Sequence, residues 1–308
     1  MRSKVSLIAT SAVLCLAVSA CGSGETGAAA DKTNTGGSSA SETFGAVRDD
    51  EAAALVPEDV QGKELANAVY NDYPPEMFQI DGELTGIQVD FANAIAVVLD
   101  VDIKNTSTGS FDSIIPGLAS GRYALATSAF GITAERVEQV DFVPHFDIGT
   151  GFAVKEGSSL TLADKSDMCG LSVGVLQGSY FVQQVEAIGQ ECLDSGAEDV
   201  KLDQFPTASA GVLALQNGRV EVYAASQDSL AYTAEETGSM SIQELVDATL
   251  PQGFAFPKDS GLTEAVVAAM ESMHETGVYD KILEKWGIES LAYDDTSAFE
   301  INRTTPVA

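Results

Sequence analysis

The chain has 308 residues, of which 46 are acidic and 16 are lysine or arginine, so its formal net charge is -30. This balance argues against a nucleic-acid partner, because phosphate binding requires a basic surface. It keeps the protein soluble and mildly favours cationic solutes.

The first twenty residues predict a signal peptide. Arg2 and Lys4 precede a short apolar run, VSLIATSAVLCLAVSA. The run ends in V-S-A-C at residues 18–21, which resembles the lipobox of bacterial lipoproteins, with an ordinary secretory signal as the alternative. We expect export, loss of residues 1–20 and lipidation of Cys21, which would anchor the mature chain to the outer face of the cell membrane.

A segment rich in small and polar residues follows the cysteine, and Phe44 is its only aromatic residue before position 55. Such a segment buries too little apolar surface to offset its ordering entropy, so residues 21–58 are predicted to be a flexible tether. No later run is apolar enough to span a bilayer, because charges or glycines interrupt it.

Strands and helices alternate in the rest of the chain. ELANAVY predicts a strand, and GIQVDFANAIAVVLDVDIKN predicts a helix, with Phe91, Ile95 and Val98 on one face, and then a strand. A helix with Asp112 as its N-cap and the strand YALATSAF follow. The pattern then restarts with three predicted strands, LSVGVL, DVKLDQF and RVEVYAAS, which are separated by helices. Two further helices end the pattern. This alternation predicts a parallel α/β sheet.

Two similar α/β units with returning terminal helices indicate two lobes. The chain would cross between them near Ile148–Gly151 and Leu250–Gly253, where glycines suit hinges. Lobe 1 is predicted at residues 59–149 and 253–295, lobe 2 at 150–252, and a C-terminal tail at 296–308. The cleft between such lobes is the default ligand site.

Two cysteines remain in the predicted mature domain. Cys169 precedes a strand and Cys192 follows the next helix, which runs back along the sheet toward the start of that strand. The two thiols should therefore lie close enough to bridge in an oxidising compartment. We expect a disulfide rather than a metal site, because no histidine is near either cysteine.

Arg136 lies in the first turn of a predicted helix that Thr133 caps. A cation there opposes the helix dipole and needs a nearby anion. Glu135 and Glu138 would supply it in a surface ion pair, and the alternative is an anion from outside the chain.

Eight stretches occur in the order typical of one family: YPPEMF, GIQVDFANAIAVVLDVD, FDSIIPGLASGRY, TSAFGITAERVEQVDF, VGVLQGS, NGRVEVYAAS, GFAFPKDSGL and TGVYDKILEKWG. From about Leu65 to Trp286 the chain resembles the extracytoplasmic solute-binding proteins, family 3, of polar amino acid ABC importers. The resemblance implies a two-lobed, type II periplasmic-binding-protein fold that closes on a small solute. It implies an ABC permease and ATPase as partners, and we expect a monomer.

The resemblance also implies site residues. The arginine after T-x-E, which is Arg136 here, would bind the α-carboxylate of the solute, since a guanidinium grips a carboxylate with two parallel hydrogen bonds. The turn after V-G-V-L-Q-G would add amides and a hydroxyl at Ser179, with Tyr180 next to it. Tyr73 and Phe111 match positions that clamp the solute side chain, with plain core packing as the alternative.

The sequence departs from the family at four positions. Gly131 replaces a usual threonine or serine, and Ala129 replaces a serine or glycine. The family has acidic residues at two positions that pair with the ammonium of the solute. In this chain those positions are occupied by Ser226 and Tyr70.

Burying an ammonium without a carboxylate would cost several kcal/mol. Either Asp228 or Glu76 therefore takes over this role, or the solute lacks a free α-ammonium.

An enzyme of the same fold, cyclohexadienyl dehydratase, is the competing interpretation, as is a binding protein that regulates a partner. Dehydration needs a general acid in the cleft. His145 and Glu76 are the candidates, but no acid–base pair or metal-ligand spacing accompanies them, and His145 is predicted to be a loop residue. The sequence therefore predicts a non-enzymatic protein with no cofactor and no metal.

Overall fold

The computed structural model describes residues 43–307. The predicted signal peptide, Cys21 and the first half of the predicted tether lie outside the described residues. No helix within residues 43–307 is both long and apolar enough to cross a membrane.

Eleven strands and nine α-helices make up the described part of the chain. The strands are β1 Glu64–Tyr70, β2 Asp72–Tyr73, β3 Met77–Ile80, β4 Glu83–Thr85, β5 Asp102–Thr108, β6 Leu125–Gly131, β7 Val140–Lys155, β8 Ser172–Leu176, β9 Lys201–Phe205, β10 Val222–Ser226 and β11 Met240–Pro257. The α-helices are α1 Asp50–Ala53, α2 Ile87–Leu99, α3 Ile114–Ala119, α4 Ala134–Val137, α5 Phe181–Asp194, α6 Ala208–Gln216, α7 Gln227–Thr237, α8 Leu262–Glu275 and α9 Val278–Lys285.

Eight of these strands form one sheet in the order β5-β1-β6-β11-β7-β10-β8-β9. The pairs β5-β1, β1-β6, β10-β8 and β8-β9 are parallel, as the alternation of strands and helices predicts. The first half of the fold comprises β5, β1 and β6 on one side of the β11–β7 pair, with α1–α4, α8 and α9, and the second half comprises β10, β8 and β9 on the other side, with α5–α7. A second sheet of three short strands, β2-β3-β4, belongs to the first half. The α/β architecture predicted from the sequence is confirmed, but β7 and β11 pair antiparallel with their neighbours, so the sheet is mixed rather than wholly parallel.

The long strands β7 and β11 connect the two halves. They pair antiparallel along most of their length, and Leu250 pairs with Ile148. Their register shifts between Asp247 and Leu250, so the regular ladder is interrupted near the predicted crossings. The lobe boundaries themselves stay predictions.

The two terminal segments predicted to lie outside the lobes, the tether and the C-terminal tail, pack against the fold within the described residues. Ala52 and Val56 are buried against the core of the first half, so the tether prediction is wrong for residues 43–58. Phe299 is fully buried in the same cluster, and Arg303 pairs with Asp147 at 3.1 Å. The composition of these segments did not indicate ordered structure. A few apolar side chains are enough to order a segment when they can pack against a core that the rest of the chain has formed.

Cys169 and Cys192 form the predicted disulfide, with their Cα atoms 5.5 Å apart. Helix α5 runs back along β8, as the sequence argument required. The bridge joins the loop before β8 to the last turns of α5 within the second half.

Candidate functional site

Arg136 lies in the short helix α4, and the Oγ1 of Thr133 accepts a hydrogen bond from its backbone N at 3.3 Å, which confirms the predicted cap. Its guanidinium donates through Nη1 to the carbonyl of Gly131 and through Nη2 to that of Gly178, both at 2.8 Å. Gly131 ends β6 in the first half, whereas Gly178 follows β8 in the second. The arginine therefore contacts both halves at their junction.

The surface ion pair considered for Arg136 does not form among residues 43–307. Arg136 is only 8% exposed, and Glu135 accepts a hydrogen bond from Gln183 instead. Burial lowers the pKa of Arg136 to about 10, which leaves it charged at neutral pH. Its guanidinium lies 5.9 Å from the ring centroid of Phe111 and 5.7 Å from that of Phe130. A buried cation that has only carbonyl and ring partners is suited to receive an anion.

Two carboxyl groups from opposite halves are buried at the same junction. Glu76 is fully buried in the first half, and Asp228 is 8% exposed in the first turn of α7 in the second. Gln88 Nε2 donates to Glu76 Oε2 at 2.9 Å. Glu76 Oε1 and both carboxylate oxygens of Asp228 make no well-aligned hydrogen bond within the described range, and the polar groups beside them are the other carboxyl group and the uncharged side chains of Gln252 and Ser226. Neither acid faces a lysine or arginine there.

Burial raises the pKa of Asp228, and it raises that of Glu76 well above the ordinary value. The negative charge of Asp228 raises the pKa of Glu76 further, so the two groups lie close enough to repel each other. Like charges in a dry site disfavour double ionisation. A cation between them would remove this penalty.

Ser226 has a different role from the acidic residue expected at its position. Its Oγ lies 2.8 Å from the hydroxyl of Tyr73, and its backbone N donates to the same hydroxyl at 2.9 Å. This contact ties the halves together and uses the polar end of Tyr73. Of the two acids that the sequence left as alternatives, the structure brings both Glu76 and Asp228 to the junction.

Several predicted residues line one small cavity between the halves: Tyr73, Phe111, Ala129, Ser179 and Tyr180, together with Met77, Ser128, Leu176, Phe181 and Gln252. The ring of Phe111 stacks on Phe130, with centroids 5.0 Å apart. Ser179 Oγ donates to the carbonyl of Leu176 at 2.6 Å, which closes its own turn. Aromatic walls with few polar groups are typical of small-molecule sites.

The remaining predicted positions contribute in other ways. Ala129 adopts a left-handed conformation, with φ of 54°, beside the cavity. The Tyr70 hydroxyl accepts a hydrogen bond from the backbone N of Ala208 at 3.2 Å, so Tyr70 bridges the halves where an acid was expected. The predicted cap role of Asp112 is wrong, because Ser113 occupies the N-cap position of α3. Asp112 Oδ2 instead accepts a hydrogen bond from Gln177 Nε2 at 3.1 Å across the cleft.

His145 is not the predicted loop residue. It lies within β7, is fully buried and stacks on Phe254 with ring centroids 4.5 Å apart. Its Nε2 lies 2.9 Å from Gln88 Nε2 and 3.2 Å from Gln252 Oε1. Burial lowers the pKa of His145 to about 3, so it is neutral near physiological pH.

Gln88 and Gln252, which were not predicted as site residues, connect this histidine to Glu76. The aromatic and β-branched residues around His145 in DFVPHF could have indicated a strand. No comparable signal marked the two glutamines, because an isolated polar residue in a helix or strand is usually exposed.

Comparison with known proteins identifies similar sequences and structures. A family model described as bacterial extracellular solute-binding proteins, family 3, matches residues 65–289. The chain is 30% identical over 249 residues to the arginine-binding protein ArgT of Corynebacterium glutamicum, a match that covers 80% of this chain and 81% of that protein. It is 27% identical over 221 residues to a probable histidine-binding protein of Campylobacter jejuni, covering 71% and 82% respectively. The structure of an ancestral arginine-binding protein bound to arginine is 33% identical, with a TM-score of 0.66, and the match covers 74% of this chain and 99% of that one.

Proposed function

The chain belongs to the bacterial extracellular solute-binding proteins, family 3, and we propose that it captures a cationic amino acid and delivers it to an ABC importer. Its relatives are named as binding proteins, which makes its role solute binding rather than catalysis. Their names include arginine-binding and histidine-binding proteins, and this range supports an amino acid as the solute.

The observation that carries the proposal is the unequal charge of the cleft. Arg136 supplies one buried positive charge, and Glu76 and Asp228 supply two buried negative charges when ionised. A solute with one carboxylate and two cationic groups would balance this set. The carboxylate would bind Arg136, and the ammonium and the side-chain cation would neutralise the two acids. An amino acid such as arginine or lysine has this composition.

The aromatic residues support a solute with a long, partly apolar side chain. Tyr73, Phe111 and Tyr180 line the small cavity between the halves. Aromatic faces attract cations and pack against methylene groups at the same time. The negative net charge of the whole chain would also attract a cationic solute during encounter.

Calorimetry with L-arginine, L-lysine and L-citrulline tests the proposal. Citrulline is the matched control, because it has nearly the shape of arginine but a neutral side chain. We expect arginine or lysine to bind at least about 100-fold more tightly than citrulline, since a desolvated charge pair contributes roughly 3 kcal/mol. Equal affinity for arginine and citrulline would show that the second acid does not bind a side-chain cation.

Membership of the family supports delivery to a membrane permease with an ATPase on its inner side, and the proposed lipid anchor at Cys21 would hold the protein near that permease. The protein would act as a monomer at the outer face of the cell membrane. Replacing Cys21 with alanine should release the protein from membranes or leave the precursor uncleaved. Mass spectrometry of the mature amino terminus checks this, and membrane-bound protein without lipid would contradict the anchor.

A further inference from the structure

Tyr180 and Gly131 make a contact across the two halves. Tyr180 is the N-cap residue of α5 in the second half, and Gly131 ends β6 in the first. A Cβ atom added to Gly131 would lie 2.5 Å from Cδ1 and 2.7 Å from Cε1 of the tyrosine ring. Real Cβ contacts are never this short, so the ring requires glycine at position 131 when the halves are together.

The hydroxyl of Tyr180 is buried beside Thr150 and makes no well-aligned hydrogen bond within residues 43–307; the Thr150 Oγ1 donates to Gln184 instead. The charges of Arg136, Glu76 and Asp228 all act on this hydroxyl, so it lies within reach of both signs of charge at the junction. Burial raises the pKa of Tyr180, which keeps its proton in place at neutral pH. A buried phenol without a partner loses free energy that a bound solute could restore.

The sequence lacks a hydroxyl at position 131, where the family resemblance leads to an expectation of threonine or serine. We propose that Tyr180 replaces this hydroxyl from the opposite half and selects solutes by donating a hydrogen bond to their carboxylate, with Gly131 making room for its ring. This proposal rests on the proposed function, because it assigns the solute carboxylate to Arg136. Guanidinium and phenol would then hold the same carboxylate from the two halves, so that closure is needed for recognition.

Removal of the hydroxyl alone tests the hydrogen bond. Tyr180→Phe keeps the ring, and it should weaken L-arginine binding by about 10- to 100-fold, as expected for a lost hydrogen bond to a charged group. Agmatine, which is arginine without the carboxylate, serves as the control, and its affinity should change less than about 3-fold. An equal loss for arginine and agmatine would overturn the assignment to the carboxylate.

A reciprocal exchange tests the steric half of the proposal. Gly131→Ser alone should weaken arginine binding by about 10- to 100-fold, because its Cβ meets the Tyr180 ring. In a Tyr180→Ala background the same serine should cost nothing or improve binding, because it restores a hydroxyl where the ring was. The two substitutions must therefore be strongly non-additive. Additive effects would contradict the proposal.

A second glycine–tyrosine pair provides a structural control within one half. A Cβ atom at Gly211 would lie 2.4 Å from Tyr223 Cε2, and the Tyr223 hydroxyl is also buried without a partner in the described range. Gly211→Ser should lower the melting temperature of the solute-free protein. Gly131→Ser should leave this melting temperature within a few degrees of wild type, because the halves can separate. A large loss of stability from Gly131→Ser would mark a purely structural contact.

The wild-type protein separates this proposal from the proposed function. If it binds L-glutamine but not L-arginine, the cationic class is wrong, and the variants are measured with glutamine. If it binds arginine but the exchange shows no coupling, only the role of Tyr180 is wrong. If it binds none of arginine, lysine and glutamine, both proposals fail.

Discussion

Two sets of buried acids behave in opposite ways in this protein. Asp141 accepts hydrogen bonds from Lys258 at 2.8 Å, from Asn302 at 2.9 Å and from the backbone N of Asp259 at 2.9 Å. Glu76 and Asp228 are at least as deeply buried as Asp141 and contact no lysine or arginine among the described residues. The first acid is neutralised by the fold, whereas the second pair is left for something else to neutralise.

The pKa values follow this difference. Burial alone would raise the pKa of Asp141, but the hydrogen bonds from Lys258 and Asn302 outweigh it and hold the pKa below its ordinary value. Burial raises the pKa values of Glu76 and Asp228, and no cation offsets it. Unpaired buried charges that persist in a cleft are typical of binding sites, because a fold gains nothing from them. The comparison therefore separates structural acids from ligand-binding acids.

The largest expected effect is the loss of affinity when either cleft acid is neutralised. Glu76→Gln and Asp228→Asn should each weaken L-arginine binding by about 2–5 kcal/mol, because the cation of the solute would be buried without its counter-charge. Calorimetry measures both losses. Asp141→Asn is the matched control and should leave the affinity unchanged. An equal loss in all three variants would erase the distinction between the two sets.

Stability should respond in the reverse order. Asp141→Asn removes a charge that Lys258 and Asn302 hold, so we expect a loss of about 1–3 kcal/mol in the free energy of unfolding. Denaturation by urea measures this loss. Retention of full stability would mean that the Asp141 contacts are too exposed to matter.

The dependence on pH should differ in sign. Asp141 has a lowered pKa, so its stabilisation is present above its ordinary value of 3.8 and is lost as the pH falls through the lowered value. Glu76 and Asp228 have raised pKa values, so folding favours their protonated forms. Their contribution to the free energy of unfolding is therefore fully present below the ordinary pKa values of 4.5 and 3.8, respectively, and is lost as the pH rises through the raised values.

Arginine binding requires both cleft acids to be ionised, so its affinity should fall as the pH is lowered through the same raised values. Calorimetry at several pH values checks this trend. The Glu76→Gln variant should show a smaller dependence, because one titrating group is gone. Affinity that does not change with pH would contradict the role of the pair.

Much of the fold could be predicted because its signals are local. The alternation of ELANAVY, the helix at 87–99 and the strand at 102–108 depends on neighbouring residues, and so does the Thr133 cap. The cysteine pair could be predicted because one strand–helix unit determines its distance. The ends could not, since Val56 and Phe299 are buried by surfaces far away in the sequence.

The site could be predicted only in part for the same reason. A short motif surrounds Arg136, and in the structure this residue is buried at the junction of the halves. The partnership of Glu76 and Asp228 depends on closure between residues about 150 positions apart, which no local pattern contains. The contact between Gly131 and Tyr180 likewise has no local signal, because the sequence shows only an unexpected glycine at position 131 and a tyrosine in a distant turn.

Thermal melting of wild type and Asp228→Asn, with and without L-arginine, tests the central claim most directly. Without arginine the variant should melt higher, by the equivalent of about 1 kcal/mol, because it removes an unpaired buried charge. With excess arginine the order should invert, since wild type alone gains the full binding free energy. If the variant melts lower in both conditions, Asp228 is a structural acid like Asp141, and the proposed cation site is wrong.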